Sequence, residues 1–313
     1  MKEWRLVFLI AFFHLLLFSS SSWAQQQTDS GYVGGAEPCL RCHPKQFESF
    51  AATKMGMLFL KDPRNAKEAL ACEACHGPSA AHVASAGTQR LSPFISFTKR
   101  DPAPIAQRNA VCLQCHTQGA VALWHGSTHD SRKLACVDCH AVHGGHQKIL
   151  AESTQQQLCT RCHQQIKSAL MKTSHHPLRE EKMACTSCHN PHGTQAAKLI
   201  AANTVNDKCY ECHAEKRGPF LFDHPPVRES CLNCHDPHGS SHRPLLVVKP
   251  PLLCQRCHSN FRHPSTLYAL SVPDALAGRS LYTAGSQVFS RGCANCHVST
   301  HGSNHPSGKF FHR

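Results

Sequence analysis

Ten copies of Cys-x-x-Cys-His run through this 313-residue chain and take up all 20 of its cysteines. The copies end at His43, His76, His116, His140, His163, His189, His213, His235, His258 and His297. Two thiols one helical turn apart can each form a thioether with a vinyl group of one haem, and the imidazole that follows then reaches the iron. The pattern therefore reads as ten sites of covalently bound haem c. The attaching sulfurs are Cys39 and Cys42, Cys72 and Cys75, Cys112 and Cys115, Cys136 and Cys139, Cys159 and Cys162, Cys185 and Cys188, Cys209 and Cys212, Cys231 and Cys234, Cys254 and Cys257, and Cys293 and Cys296. Structural zinc needs a second Cys or His pair at finger or ribbon spacing and has no use for a histidine after every second cysteine. Disulfides leave the ten histidines equally unexplained.

The N-terminal segment, 1–24, reads as a cleaved secretory signal peptide: Lys2 and Arg5 lead an apolar run from Leu6 to Phe18, interrupted by His14, and Ser22-Trp23-Ala24 follows. That run is well short of the ~20 residues that cross a bilayer as a helix. Export suits haem attachment, and the expected place is the periplasm. About 289 mature residues then share ten haems, roughly 29 each, too few to wrap each macrocycle in a conventional apolar core. The haems themselves must form much of the core.

A formal charge of +13 would ordinarily point to nucleic acid or a membrane surface. Without the signal the chain keeps 31 basic and 19 acidic residues, and the twenty propionates of ten haems would bring the holoprotein to about −8. The basic excess neutralises propionates, and no nucleic-acid partner is implied.

The motifs fall into five pairs, beginning at Cys39 and Cys72, Cys112 and Cys136, Cys159 and Cys185, Cys209 and Cys231, and Cys254 and Cys293. Each pair has a candidate second ligand between its motifs and another just after the second: Met55 and His82, His129 and His143, His176 and His192, His224 and His238, His263 and His301. Six histidines of the mature chain remain, His125, His146, His175, His242, His305 and His312, of which His125 rivals His129, His175 rivals His176 and His305 rivals His301. Spacing alone leaves open which candidate serves which iron. The first pair departs from the pattern, since no histidine lies between His43 and His76. Met55 is the candidate ligand for the iron at His43, where a thioether would raise the potential. The rival reading packs Met55 with Met57, Leu58 and Phe59 and brings in a remote histidine such as His146 or His312.

Helix formers are concentrated in segments such as Gln155 to Lys172 and Asn65 to Cys75, while no alternating run indicates a sheet. The expected fold is mainly irregular with short α-helices, an extended multihaem cytochrome c of five two-haem units. Gly77 to Val111 reads as a joint, giving a first unit with linker over 25–111 and four further units over 112–313. Pro264 to Gly292 reads as a loop at one end of the haem array.

The strings Cys209-Tyr-Glu-Cys-His-Ala-Glu-Lys-Arg-Gly-Pro219, Cys188-His-Asn-Pro-His-Gly193 and His301-Gly-Ser-Asn-His-Pro-Ser-Gly-Lys309 resemble the MtrA/DmsE family of periplasmic decahaem cytochromes, as do the haem count and the five-pair layout. The resemblance implies a near-linear haem chain threaded into an outer-membrane β-barrel porin. It implies electron exchange between periplasmic or inner-membrane cytochromes and an extracellular cytochrome, donor or acceptor. It also aligns distal ligands with His82, His129, His143, His176, His192, His224, His238, His263 and His301, and places a histidine where this chain has Met55. The family orientation puts the haem at His43 at the periplasmic end, where a high potential would suit inward flow.

Six-coordinate irons bind no substrate, so electron transfer rather than catalysis is the activity left to them. Two rivals stand beside the conduit: a soluble periplasmic shuttle feeding a terminal reductase, and a multihaem reductase with one open haem at His43. Outward flow would serve mineral reduction and inward flow iron oxidation.

Overall fold

The computed structural model describes residues 31–88, 94–98, 102–144, 149–258 and 293–312. The expected signal peptide, His146, His263 and the stretch Pro264 to Gly292 lie outside the described residues.

Every Cys-x-x-Cys-His is one closed turn, because in all ten the histidine N–H donates to the carbonyl of the first cysteine at 2.9–3.1 Å. The first motif of a pair rides on a short helix, as in Ile105–Leu113, Gln155–Thr160 and Val205–Tyr210, and the second sits on a turn of its own, as in Cys185–Ser187 and Cys231–Asn233. Side-chain caps start several helices: Thr53 Oγ1 accepts from Gly56 N at 2.9 Å, and Thr204 Oγ1 from Asp207 N at 3.0 Å. Frequent Pro and Gly keep them short, and no described helix is long and apolar enough to cross a membrane. The described residues form no strands, only isolated antiparallel bridges.

Three of those bridges repeat one device. His140 pairs with Leu150, His189 with Ile200 and His235 with Leu246, so the loop after each of these second motifs folds back onto its proximal histidine. Two more bridges, Ser174 to Ser240 and Phe222 to Ser303, tie the segment before His176 to that after His238, and the segment before His224 to that after His301. The backbones beside the Ser174–Ser240 bridge approach closely: at Gly239 a Cβ would lie 2.0 Å from Ala169 O, so no side chain fits there without moving the backbone.

Among the described residues the buried apolar set is Phe50, Ala71, Ala74, Trp124, Ala135 and Leu170. Three alanines and three larger side chains cannot offset a backbone ordering cost of about 1–2 kcal/mol per residue. The described residues alone make too little apolar core, in line with haems forming one.

The chain divides into two compact units, Met1–Thr154 and Gln155–Arg313, holding two and three motif pairs. The joint read into Gly77 to Val111 falls inside the first unit, where helix Ile105–Leu113 packs on both Glu73–His76 and Cys136–Cys139.

Candidate haem-binding sites

The first cysteines of each motif pair meet. Cys39 shares a hydrogen bond with Cys72, Cys112 with Cys136, Cys159 with Cys185, Cys209 with Cys231, and Cys254 with Cys293. The shared bond pushes Cys185 and Cys231 down to about 7 and Cys209, the partner of Cys231, well up, while burial pushes Cys254 up to about 11. Once attached these sulfurs are thioethers and no longer titrate, but their contacts place two attachment points side by side in every pair.

Recurring polar side chains build this juxtaposition. Buried Asn109 donates Nδ2 to Leu134 O at 3.0 Å and accepts from Cys136 N at 2.9 Å. Buried Asn206 does the same in another pair, donating to Val227 O at 2.9 Å and accepting from Cys231 N at 2.8 Å. Each asparagine precedes the first cysteine of its pair at the same offset and clamps the start of the second motif. In the first pair the buried group is Glu73, which accepts from Val33 N on both oxygens at 3.1 Å, from Gly34 N at 2.8 Å and from Ser79 N at 2.8 Å. Nothing in the motif pattern singled out these three; the repeated Asn at one offset was the available signal.

Histidine rings stand opposite one another at one separation. His43 and His82 have centroids 6.3 Å apart, His76 and His143 6.3 Å, His176 and His213 6.3 Å, His189 and His238 6.0 Å, His224 and His258 6.2 Å, and His235 and His301 6.2 Å. Direct ring contact would bring centroids closer, as in His297 and His312 at 4.4 Å. A metal–nitrogen bond of about 2 Å on each side, plus roughly 1 Å from each nitrogen to its ring centre, gives about 6 Å. The rings fit two axial ligands with an iron between, and one ring of every pair belongs to a motif.

The outer hydrogen bonds agree with this. Nδ1 donates to a backbone carbonyl in His76 (Ile95 O, 3.0 Å), His189 (Lys198 O, 2.9 Å) and His235 (Pro244 O, 2.9 Å). On the facing rings His143 donates to Gln46 O at 3.2 Å, His176 to Pro237 O at 2.8 Å and His224 to Thr300 O at 3.0 Å. With the proton on Nδ1, the Nε2 lone pair is left for a metal. Burial holds His76, His224, His238 and His301 below the usual histidine value, which keeps them neutral.

The rivals behave differently. His175 has both nitrogens occupied, Nδ1 on Lys172 O at 2.7 Å and Nε2 on Glu180 at 3.2 Å. His305 accepts from Ser307 N on Nδ1 at 3.1 Å, so its neutral ring carries the proton on Nε2. His125 is exposed. His312 packs on His297 itself, too close for an iron between them.

Met55, expected opposite His43, finds that place held by His82. The facing imidazole comes from beyond the second motif rather than from between the two. Among the described residues no other histidine ring stands opposite His116.

Known proteins share this pattern. The chain is 40% identical over 280 residues to the multiheme cytochrome MtrA of Shewanella baltica (strain OS185), covering 89% of this chain and 81% of that one. It is 28% identical over 130 residues to the cytochrome c-type protein NrfB of Escherichia coli O6:H1, covering 40% of this chain and 63% of that one. A family profile described as a doubled CXXCH motif matches residues 175–218 and 224–263, and one described as cytochrome c-type protein NrfB-like matches 72–156.

Proposed function

The chain belongs to the family of the multihaem cytochrome MtrA, binds haem c covalently and serves electron transfer, and we propose that it is a decahaem wire carrying electrons across the outer membrane inside a β-barrel porin. The carrying observation is the set of six histidine pairs at 6.0–6.3 Å, because an iron held between two imidazoles has no position open to substrate. Haem c supplies reversible one-electron chemistry at such an iron.

The residues of the chain do the rest. Twenty cysteines fix ten macrocycles and the paired first sulfurs set neighbouring attachment points together. His43, His76, His116, His140, His163, His189, His213, His235, His258 and His297 serve as proximal ligands. His82, His143, His176, His224, His238 and His301 close six of the opposite sides, and His129, His192 and His263 complete the imidazole set. The Nδ1–H bonds to backbone carbonyls hold the rings in place and reduce reorganisation as charge comes and goes.

In this reading the mature protein is exported to the periplasm and associates with the outer membrane. Its partners are a porin, periplasmic or inner-membrane cytochromes on one side, and an extracellular multihaem cytochrome, mineral or ferrous iron on the other. It is not an enzyme. His82 opposite His43 supports a closed iron there over a reductase with an open haem. A soluble shuttle would use the same ligands, so the discriminating experiment is co-purification from outer-membrane extracts. The conduit reading expects a stable complex with a barrel protein and electron transfer into sealed vesicles carrying both. Recovery of the cytochrome only as a free periplasmic protein would refute the conduit.

A further inference from the structure

The ring pairs follow a rule. A histidine between the motifs of one pair faces the first proximal histidine of the next, as His176 faces His213 and His224 faces His258. A histidine after the second motif of a later pair faces the second proximal histidine of the pair before, as His143 faces His76, His238 faces His189 and His301 faces His235. At the start of the chain, where no earlier pair exists, His82 faces His43 within its own pair. These assignments use up every described candidate from the first pair except the one between its motifs. That position is residue 55, and the proximal histidine the rule gives it is His116.

We propose that Met55 Sδ is the sixth ligand of the iron at His116, so that the third haem, and not the first, is a thioether–imidazole centre. The proposal rests on the haem-wire reading above. Position 55 follows His43 at nearly the offset at which His129, His176 and His224 follow His116, His163 and His213. Met55 stands in the first turn of helix Lys54–Lys61, half-buried. It shares a face with Leu58 and Phe59, three and four positions on, while Met57 points outward at 45% exposure. The helix cannot slide or roll on its neighbour: Gly56 is pressed against Phe50, where a Cβ would lie 1.8 Å from the carbonyl oxygen, and Phe59 packs edge-on to Phe50 at 6.2 Å. Helix Lys54–Lys61 packs on Ala66–Ala69, that helix on Glu73–His76, and Glu73–His76 on Ile105–Leu113, which carries Cys112 of the third motif. Among the described residues no histidine ring stands at the iron-spanning separation from His116, as His82 does from His43 and His143 from His76.

A thioether stabilises the ferrous state relative to imidazole. The third haem would then be the first to take an electron and the last to release one, an interior resting place with imidazole-ligated haems before it. The argument for inward flow from a high-potential terminus falls with this placement, because the haem at His43 has two imidazoles.

The test uses the full mature holoprotein. Ferric spectra should show the weak near-infrared band of a thioether-bound haem at one-tenth of the haem content, titrating with the highest potential of the ten. Met55→His should abolish the band and lower that potential while every haem stays low-spin. His82→Ala should leave the band intact and convert one haem in ten to high-spin. His125→Ala should change neither. Ten low-spin imidazole pairs with no band would overturn the proposal while leaving the wire reading untouched. A His82→Ala protein with all irons still low-spin would return Met55 to the iron at His43. Fewer than ten covalent haems in the wild-type protein would instead sink the wire reading itself.

Discussion

Glu73→Gln is the most informative single change in the first haem pair. The carboxylate lies inside the second motif with no exposed surface, and both of its oxygens accept backbone N–H bonds, from Val33, Gly34 and Ser79. An amide keeps one acceptor oxygen but turns an NH2 toward a backbone donor, orphaning at least one buried N–H at about 1–3 kcal/mol. The change also deletes a negative charge that reaches as far as Cys39 in the partner motif. At a separation of about 10 Å and an effective dielectric of about 20, one charge is worth about 1.7 kcal/mol, or roughly 70 mV for a one-electron centre. Losing it destabilises the ferric form. We therefore expect two potentials, those of the haems at His43 and His76, to rise by tens of millivolts, with a lower unfolding midpoint for residues 31–88. Spectroelectrochemical titration with calorimetry on the same samples measures both. Potentials and midpoint both unchanged would show that Glu73 is neither a buried charge nor an anchor of the N-terminal segment.

Asn206→Leu removes the clamp between two motifs and leaves Cys231 N and Val227 O without partners, at a cost on the order of 2–4 kcal/mol; the unfolding midpoint should fall and the potentials of the haems at His213 and His235 should shift together. Gly239→Ala places a Cβ against Ala169 O, so it should destabilise by more than about 1–3 kcal/mol and, by displacing the neighbouring His238, yield a high-spin signal from the haem at His189. Acid titration should show the sign set by the buried histidines. The folded-state values of His76, His224, His238 and His301 are lowered, chiefly by burial, so the stability they support is present above the unfolded histidine value of about 6.5 and is lost as pH falls below it. Low-spin absorbance should hold at neutral pH and give way to high-spin absorbance in acid; loss on the alkaline side instead would contradict this.

The covalent chemistry was legible because it is local. Two cysteines and a histidine in one pentapeptide declare their own product, and the five-pair grouping reappears as five contacts between first sulfurs. The histidine that recurs just after a second motif singles out His143 and His238, whose rings stand opposite His76 and His189, for the same reason. What the sequence hid was distance. His76 meets the ring of His143 and His235 that of His301, each with two further motifs lying between the partners along the chain, and no spacing argument chooses such partners. The same holds at His43, where spacing points between the motifs to Met55 while the ring that stands opposite is His82, beyond the second motif. Glu73, Asn109 and Asn206 read as ordinary polar residues, because their work is to satisfy backbone groups that become buried only when two motifs meet.

The central claim is ten six-coordinate haems with no iron open to substrate. Intact mass and magnetic circular dichroism on one preparation of the mature protein test it most directly. Ten covalent haem masses and an entirely low-spin ferric spectrum, unaltered by nitrite, hydroxylamine or carbon monoxide, are the expected result. A high-spin haem that binds any of those ligands would contradict it and make the protein a candidate reductase.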